Sequence, residues 1–147
     1  MRDYTKIVAW QKADDLTVAV YGATRGFPKE EVYSLTSQLR RAAYSVPANI
    51  VEGSSRESLK DYLHFLHIAR GSLSETRYFI HLAGRLGYLK AEDQGALTEA
   101  TEAALRVLAG LIRSVEKEAG VVSRTLARAT SLLVLSCGSL LFSWSKV

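Results

Sequence analysis

The chain has 147 residues, 48% of them hydrophobic and 23% charged, which is enough for one packed core and too few to expect two. Its single cysteine, Cys137, excludes an intramolecular disulfide and a multi-thiolate metal site. No basic-then-apolar leader precedes the first helical segment, so a reducing, cytoplasmic setting is expected. The formal charge of +4 is unevenly placed: residues 38–90 hold eight basic against four acidic side chains, residues 91–120 three against six, and residues 121–147 three against none. A basic middle and an acidic last body helix suit either an anionic partner or pairing between subunits.

Ile7, Trp10, Ala13, Thr17, Val20 and Thr24 recur at helical spacing and predict a first helix over about 8–24. Gly26, Phe27 and Pro28 stop it. A second helix is expected over 29–52, with Glu30 and Glu31 at the positive end of its dipole. Val32, Leu35, Leu39, Ala43, Val46 and Ile50 form its apolar face, while Gln38, Arg41, Ser45, Asn49 and Glu52 form a polar stripe on another. Pro47 removes one backbone hydrogen bond and predicts a kink in the last two turns. Gly53 should end the helix, because Ser54 with Glu57 three positions on reads as the capping box of a third helix over 55–86. So short a link makes helices two and three an antiparallel hairpin.

The third helix presents Leu59, Tyr62, Leu66, Ala69, Leu73, Thr76, Ile80 and Ala83 inward, and His67, Arg70, Ser74, Arg77 and His81 on its other face. The fourth is expected over 91–118, with Glu92 and Asp93 in its first turn and Leu97, Thr101, Ala104, Leu108, Leu111 and Val115 inward before Gly120. Residues 1–120 therefore read as an all-α, up-down-up-down antiparallel four-helix bundle, followed by an apolar, weakly basic tail over 121–147. Between Arg128 and Lys146 the tail has no charge. Diluted by serines, this run sits at the lower edge for a spanning helix, so packing on a bundle, swapping onto a neighbour or partial disorder is the favoured expectation over a membrane anchor.

Candidate sites follow from the same pattern. A di-metal carboxylate bundle needs Glu-x-x-His pairs, and none occurs; His64 and His67 alone make a two-ligand set, so no metal and no cofactor is expected. Ser45 and Ser72 lack an evident base, and there is no glycine-rich phosphate loop, so no catalytic residue and no small-molecule substrate is assigned. Gln38, Arg41, Ser45, Asn49 and Glu52, with Glu75, read first as an assembly or polar network, Arg41 and Glu52 reaching opposite charges or carbonyls on a neighbouring helix or subunit. Arg40, Arg56, Lys60, Arg70 and Arg77 make the middle hairpin basic. Such a basic surface suits RNA or DNA phosphates.

Trp10-Gln11-Lys12-Ala13, Phe27-Pro28 with Glu31, the run from Leu35 to Ala42, Pro47-Ala48-Asn49-Ile50 with Glu52-Gly53, Arg56, and Ala69 with Gly71-Ser72 and Glu75 resemble the four-helix-bundle proteins known as 23S rRNA intervening-sequence proteins. The resemblance spans roughly residues 5 to 118 and rests on many fixed spacings. It implies a cytosolic bundle assembling as a homopentameric ring, and a distant similarity to accessory proteins of diversity-generating retroelements, whose basic pentameric barrel engages a reverse transcriptase and nucleic acid. It implies no enzymatic activity. The expected function is thus a non-enzymatic, homopentameric scaffold with itself, RNA, DNA or a nucleic-acid enzyme as partner. The competing classes are a membrane-associated helper held by its tail and an enzyme with an unrecognised site.

Overall fold

The computed structural model describes the backbone of residues 2–141 and the side chains of residues 2–120. Among the described residues there are four helices, α1 (Val8–Ala23), α2 (Leu35–Ser55), α3 (Leu59–Arg85) and α4 (Ala91–Leu141), with short 3-10 turns at Tyr4–Lys6, Thr24–Gly26 and Lys29–Glu31. They pack in cyclic order, α1 on α2, α2 on α3, α3 on α4 and α4 on α1, so the four apolar stripes meet along one axis. All the inward positions expected of α3 from Tyr62 to Ala83 are buried, as are Ala13 and Val20 of α1 and Leu39, Ala43, Val46 and Ile50 of α2. On α4, Ile112 is buried beside Leu97, Ala104, Leu108 and Val115, and Leu111 only partly so.

The boundaries are where the chain departs from its sequence pattern. Helix α2 begins at Leu35, six residues later than expected, because residues 29–31 close a 3-10 turn whose N–H groups are spent locally: Glu31 donates to Pro28 and Val32 to Lys29. Val32 consequently lies outside the helix and is 47% exposed, not part of the core. Ser34 precedes α2 without a side-chain capping bond. Glu31 supplies the cap instead, its Oε2 accepting from the Leu35 amide at 3.0 Å while Oε1 accepts from the Tyr88 hydroxyl at 3.2 Å. The acid placed by the sequence at a helix dipole does act there, from the preceding turn.

Helix α2 runs without interruption through Pro47 and also through Gly53. Ser54 does not cap α3. It lies within α2, buried, and its hydroxyl donates back to the Val51 carbonyl at 2.7 Å. The cap is Ser58, four residues on, whose Oγ accepts from the Asp61 amide at 3.0 Å and donates to the Asp61 carboxylate at 2.6 Å. The pattern Ser-x-x-Asp competes with Ser-x-x-Glu, and packing decides between them. Gly53 sits where an added Cβ would lie 2.9 Å from Tyr62 Cδ2 and 3.0 Å from Phe65 Cβ, so the last turn of α2 must stay helical to seat against the first turns of α3. The hairpin itself is as expected, with only residues 56–58 between the helices.

An N-terminal strap closes over this corner. The Arg2 amide donates to the Ser54 carbonyl at 3.2 Å, and the Arg2 guanidinium lies 4.6 Å from the centroid of the buried Tyr62 ring. At the opposite end of the bundle, α3 stops in a paired-bond cap: Tyr88 N–H donates to Ala83 and Gly87 N–H to Gly84, with Gly87 at φ +74°. That left-handed residue strains any side chain, so glycine fits it. Helix α4 starts with Glu92 and Asp93 in its first turn, as expected, but continues past Gly120 to Leu141 instead of ending near 118, because a lone glycine is tolerated within a helix at modest cost. The side-chain packing expected of the tail lies outside the described residues. Among those described, no helix is long and apolar enough to cross a membrane.

Two outcomes are expected. Ser58→Ala should lower stability by about 1 kcal/mol in urea denaturation, as loss of a cap does, while Gly53→Ala, which overpacks the α2–α3 corner, should cost roughly 1–3 kcal/mol. Glu31 has its carboxyl held below its ordinary value of 4.5, first by the Leu35 amide and then by Ser34 and Tyr88, against an opposing desolvation effect. A depressed folded-state pKa contributes stability above the unfolded value and loses it as pH falls through the folded one. Melting temperature measured below pH 4.5 should therefore decline less steeply in Glu31→Gln than in the wild type.

Candidate functional site

The polar stripe of α2 becomes a contact between helices at its centre. Ser45 Oγ and Ser72 Oγ are 2.9 Å apart across α2 and α3, and Asn49 Nδ2 donates to the Ser45 carbonyl at 2.7 Å and to Ser45 Oγ at 3.0 Å. The three side chains satisfy one another in a partly buried seam, which accounts for polar residues that would otherwise be costly to desolvate. The hydroxyls bond to each other and to an amide, with no His, Asp or Glu among their partners, so they form no nucleophile–base pair.

The ends of the stripe behave differently. Arg41 and Glu52 are expected from the sequence to reach a neighbouring helix or subunit; within the chain each finds a partner on α2 or just beyond its end, Arg41 bonding Gln38 Oε1 at 3.3 and 3.2 Å and Glu52 pairing with Arg56 one turn on. Local pairs win because residues three and four apart on a helix are already neighbours. Glu75 is exposed and has no hydrogen bond or ion pair among the described residues. Because α2 and α3 run antiparallel in the register set by Ser45 and Ser72, Arg41 and Glu75 lie one turn from that contact on the same seam, yet they are not joined to each other.

The five candidate nucleic-acid cations separate in the same way. Arg40 is held inside the fold, its Nε donating to Thr24 Oγ1 at 2.8 Å and its guanidinium lying 4.8 Å from the Tyr21 centroid. Arg56 pairs with Glu52 and covers the Phe65 ring at 5.0 Å. Arg77 bonds Glu102 of α4 at 3.0 Å. Lys60 and Arg70 are exposed without such partners among the described residues. Helical spacing identifies which face a cation leaves from and is silent on what a facing helix brings to it, so the engagements of Arg40 and Arg77 were not readable in the sequence, whereas the four-residue spacing of Glu52 and Arg56 was an available signal for their pair.

Between α3 and α4 lies a groove of about 530 Å³ lined by Ser74, Arg77, Tyr78, His81, Gln94 and Thr98. Its α3 side is the polar face already visible in the sequence; Gln94 and Thr98 of the α4 side, with Glu102 beyond them, were missed. Their four-residue spacing was the available signal. Gly84 leaves the space into which the Gln94 side chain folds. A second groove, of about 420 Å³, separates α1 from α4 and has mostly alanine walls, with Lys12, Asp15 and Glu99 at its rim. No group of three or more His, Cys, Asp or Glu that could hold a metal occurs among the described residues, and His64 and His67 are both exposed.

A family model described as 23S rRNA-intervening sequence protein matches residues 5–110. The crystal structure of a protein of unknown function from the S23 ribosomal protein family of Bacteroides thetaiotaomicron is similar with a TM-score of 0.67 at 23% identity, over 72% of this chain and 96% of that one. That likeness speaks to the fold alone. No curated protein matches significantly.

The seam between α2 and α3 makes a stability prediction. Ser45→Ala should cost roughly 1–3 kcal/mol, since it leaves Ser72 and Asn49 under-satisfied. The double variant Ser45→Ala with Ser72→Ala should cost less than the sum of the two singles, because the second removal relieves an orphaned hydroxyl. Chemical denaturation of the four proteins closes the cycle, and strict additivity would mean that the two hydroxyls do not interact.

Proposed function

The chain belongs to the 23S rRNA-intervening sequence protein family, and on that premise we propose that it is a non-enzymatic, self-assembling scaffold whose subunits meet through the outer faces of α2 and α3 in a homopentameric ring. The observation that carries this reading is the pair of exposed opposite charges, Arg41 on α2 and Glu75 on α3, which flank one partly buried seam without meeting. Beside them Tyr44 and Ile68 are 47% and 39% exposed, and Ala48 and Gly71 leave the surface low. Charge complementarity between two different helices favours a head-to-tail contact, in which Arg41 of one subunit meets Glu75 of the next. Head-to-tail contacts generate rings when the rotation closes.

The same face is poorly suited to catalysis. Its hydroxyls are satisfied by each other, and no acid–base pair stands near them. An interface also gives the polar stripe a use that a solvated helix surface would not need, namely setting register between copies through groups that cannot be buried unpaired. The five-fold count comes from the family resemblance; the identity of the interface comes from the charges.

Light scattering at micromolar concentration should return a mass near five times that of the subunit. Arg41→Glu and Glu75→Arg should each shift the protein to smaller particles, weakening the contact by roughly 2–5 kcal/mol, as loss of one member of a desolvated pair does. Combining the two reversals should restore the assembly. A monomeric wild type, or a double variant no larger than the singles, would overturn the proposal.

A further inference from the structure

We propose that the groove between α3 and α4 binds the phosphate and base of a nucleotide within a single-stranded nucleic acid, with Arg77 and His81 on the phosphate and Tyr78 stacking on the base. The groove lies on the α4 side of α3, within one subunit, so the inference is independent of the proposed ring. Its volume of about 530 Å³ falls in the range of ordinary ligand pockets, roughly 300–1,000 Å³. The groups it presents are of the right kind. Arg77 is a planar guanidinium, suited to two phosphate oxygens at once, and it shares the groove with the His81 imidazole and the Gln94 amide. His81 and the Gln94 side chain make no hydrogen bond among the described residues, while Thr98 Oγ1 donates to the Gln94 carbonyl at 2.7 Å. Tyr78 is 57% exposed at the rim, and an aromatic face stacks on any base.

Arg77 is at present paired with Glu102 at 3.0 Å, the two side chains being 54% and 40% exposed. An ion pair this open to water is worth little, so an incoming phosphate, with more oxygens and more charge, displaces the carboxylate at small cost. Glu102 then acts as a competitor whose removal should favour the ligand.

The charge pattern argues for a strand over a free nucleotide. Arg70, Arg77, His81 and Arg85 are all exposed and follow one another along α3 at intervals of seven, four and four residues, which places Arg70 and Arg85 about 10 and 12 Å from Arg77 along the helix axis. A mononucleotide would fill the groove and leave both flanking arginines unused. A strand tracking α3 meets all of them, with phosphate contacts setting affinity and no side-chain set for reading base edges, so its binding is tolerant of sequence.

The test is fluorescence anisotropy of the full chain with a labelled oligouridylate of about twelve nucleotides, in salt from about 50 to about 200 mM, where binding through phosphates weakens steeply. The wild type should bind at low salt. Arg77→Glu should weaken binding by about tenfold or more and flatten the salt slope by roughly 0.7 for each phosphate no longer neutralised. Tyr78→Ala should weaken it about tenfold at every salt concentration. Glu102→Gln should bind several-fold more tightly, a gain that damage to the fold would not produce, so it carries the test if Arg77→Glu fails to fold. Absence of binding at low salt, or Glu102→Gln binding no better than wild type, overturns the proposal. Adenosine monophosphate displacing the strand as effectively as unlabelled strand does would overturn the strand and leave a mononucleotide site. Mass measured by light scattering on the same samples separates this outcome from any failure of ring assembly.

Discussion

The close approach of α2 and α3 around Gly53 is the constraint on which the other arrangements depend. Three residues separate the helices, and a chain of that length reaches only about 10 Å, so the end of one must lie beside the start of the other. A glycine at the contact lets Tyr62 and Phe65 press on the α2 backbone, and Tyr62, fully buried, becomes the post around which the corner is built. Burial raises the Tyr62 phenol above its ordinary value, with the Arg2 charge opposing that shift. The N-terminal strap is thus part of the same corner.

Once that corner is set, antiparallel register does the rest. It brings Ser45 across from Ser72, where Asn49, one turn along α2 from Ser45, completes the bond set, and it leaves Arg41 and Glu75 on one seam. Polar groups at such a seam discriminate between registers more sharply than apolar ones, because a slip of one turn would part Ser45 from Ser72 and leave the buried Ser72 hydroxyl without that partner. The apolar face alone, built of Leu, Val, Ile and Ala, would tolerate more than one alignment.

The distribution of charge follows a second rule. Cations with an acid, a hydroxyl or an aromatic ring within one helical turn or on the facing helix are taken up locally, as Arg40, Arg56 and Arg77 are. Only the first of these is partly withdrawn from solvent; the exposed pairs add little to stability and are open to exchange. A surface can therefore be basic in composition while several of its cations are already engaged, two of them by carboxylates. What distinguishes the α3–α4 face is that its cations outnumber the single carboxylate engaged with them.

The helical periods, the identity of the buried residues of α3, the hairpin and the dipole acids before α2 and in α4 were determined by the sequence alone, because they depend on spacing along one chain and on local backbone chemistry. Its motifs placed it in the right family for the same reason. Tertiary structure decided what lies beyond one turn: that Ser58 caps α3 while Ser54 is absorbed into α2, that Val32 leaves the core, and that Gly120 does not end α4. Two capping patterns four residues apart are locally equivalent, and only the seating of Gly53 against Tyr62 separates them. The partners of Arg40 and Arg77 and the groove wall of Gln94 and Thr98 belong to the same class, since a side chain's position on a helix does not name the atoms that the facing helix will bring to it.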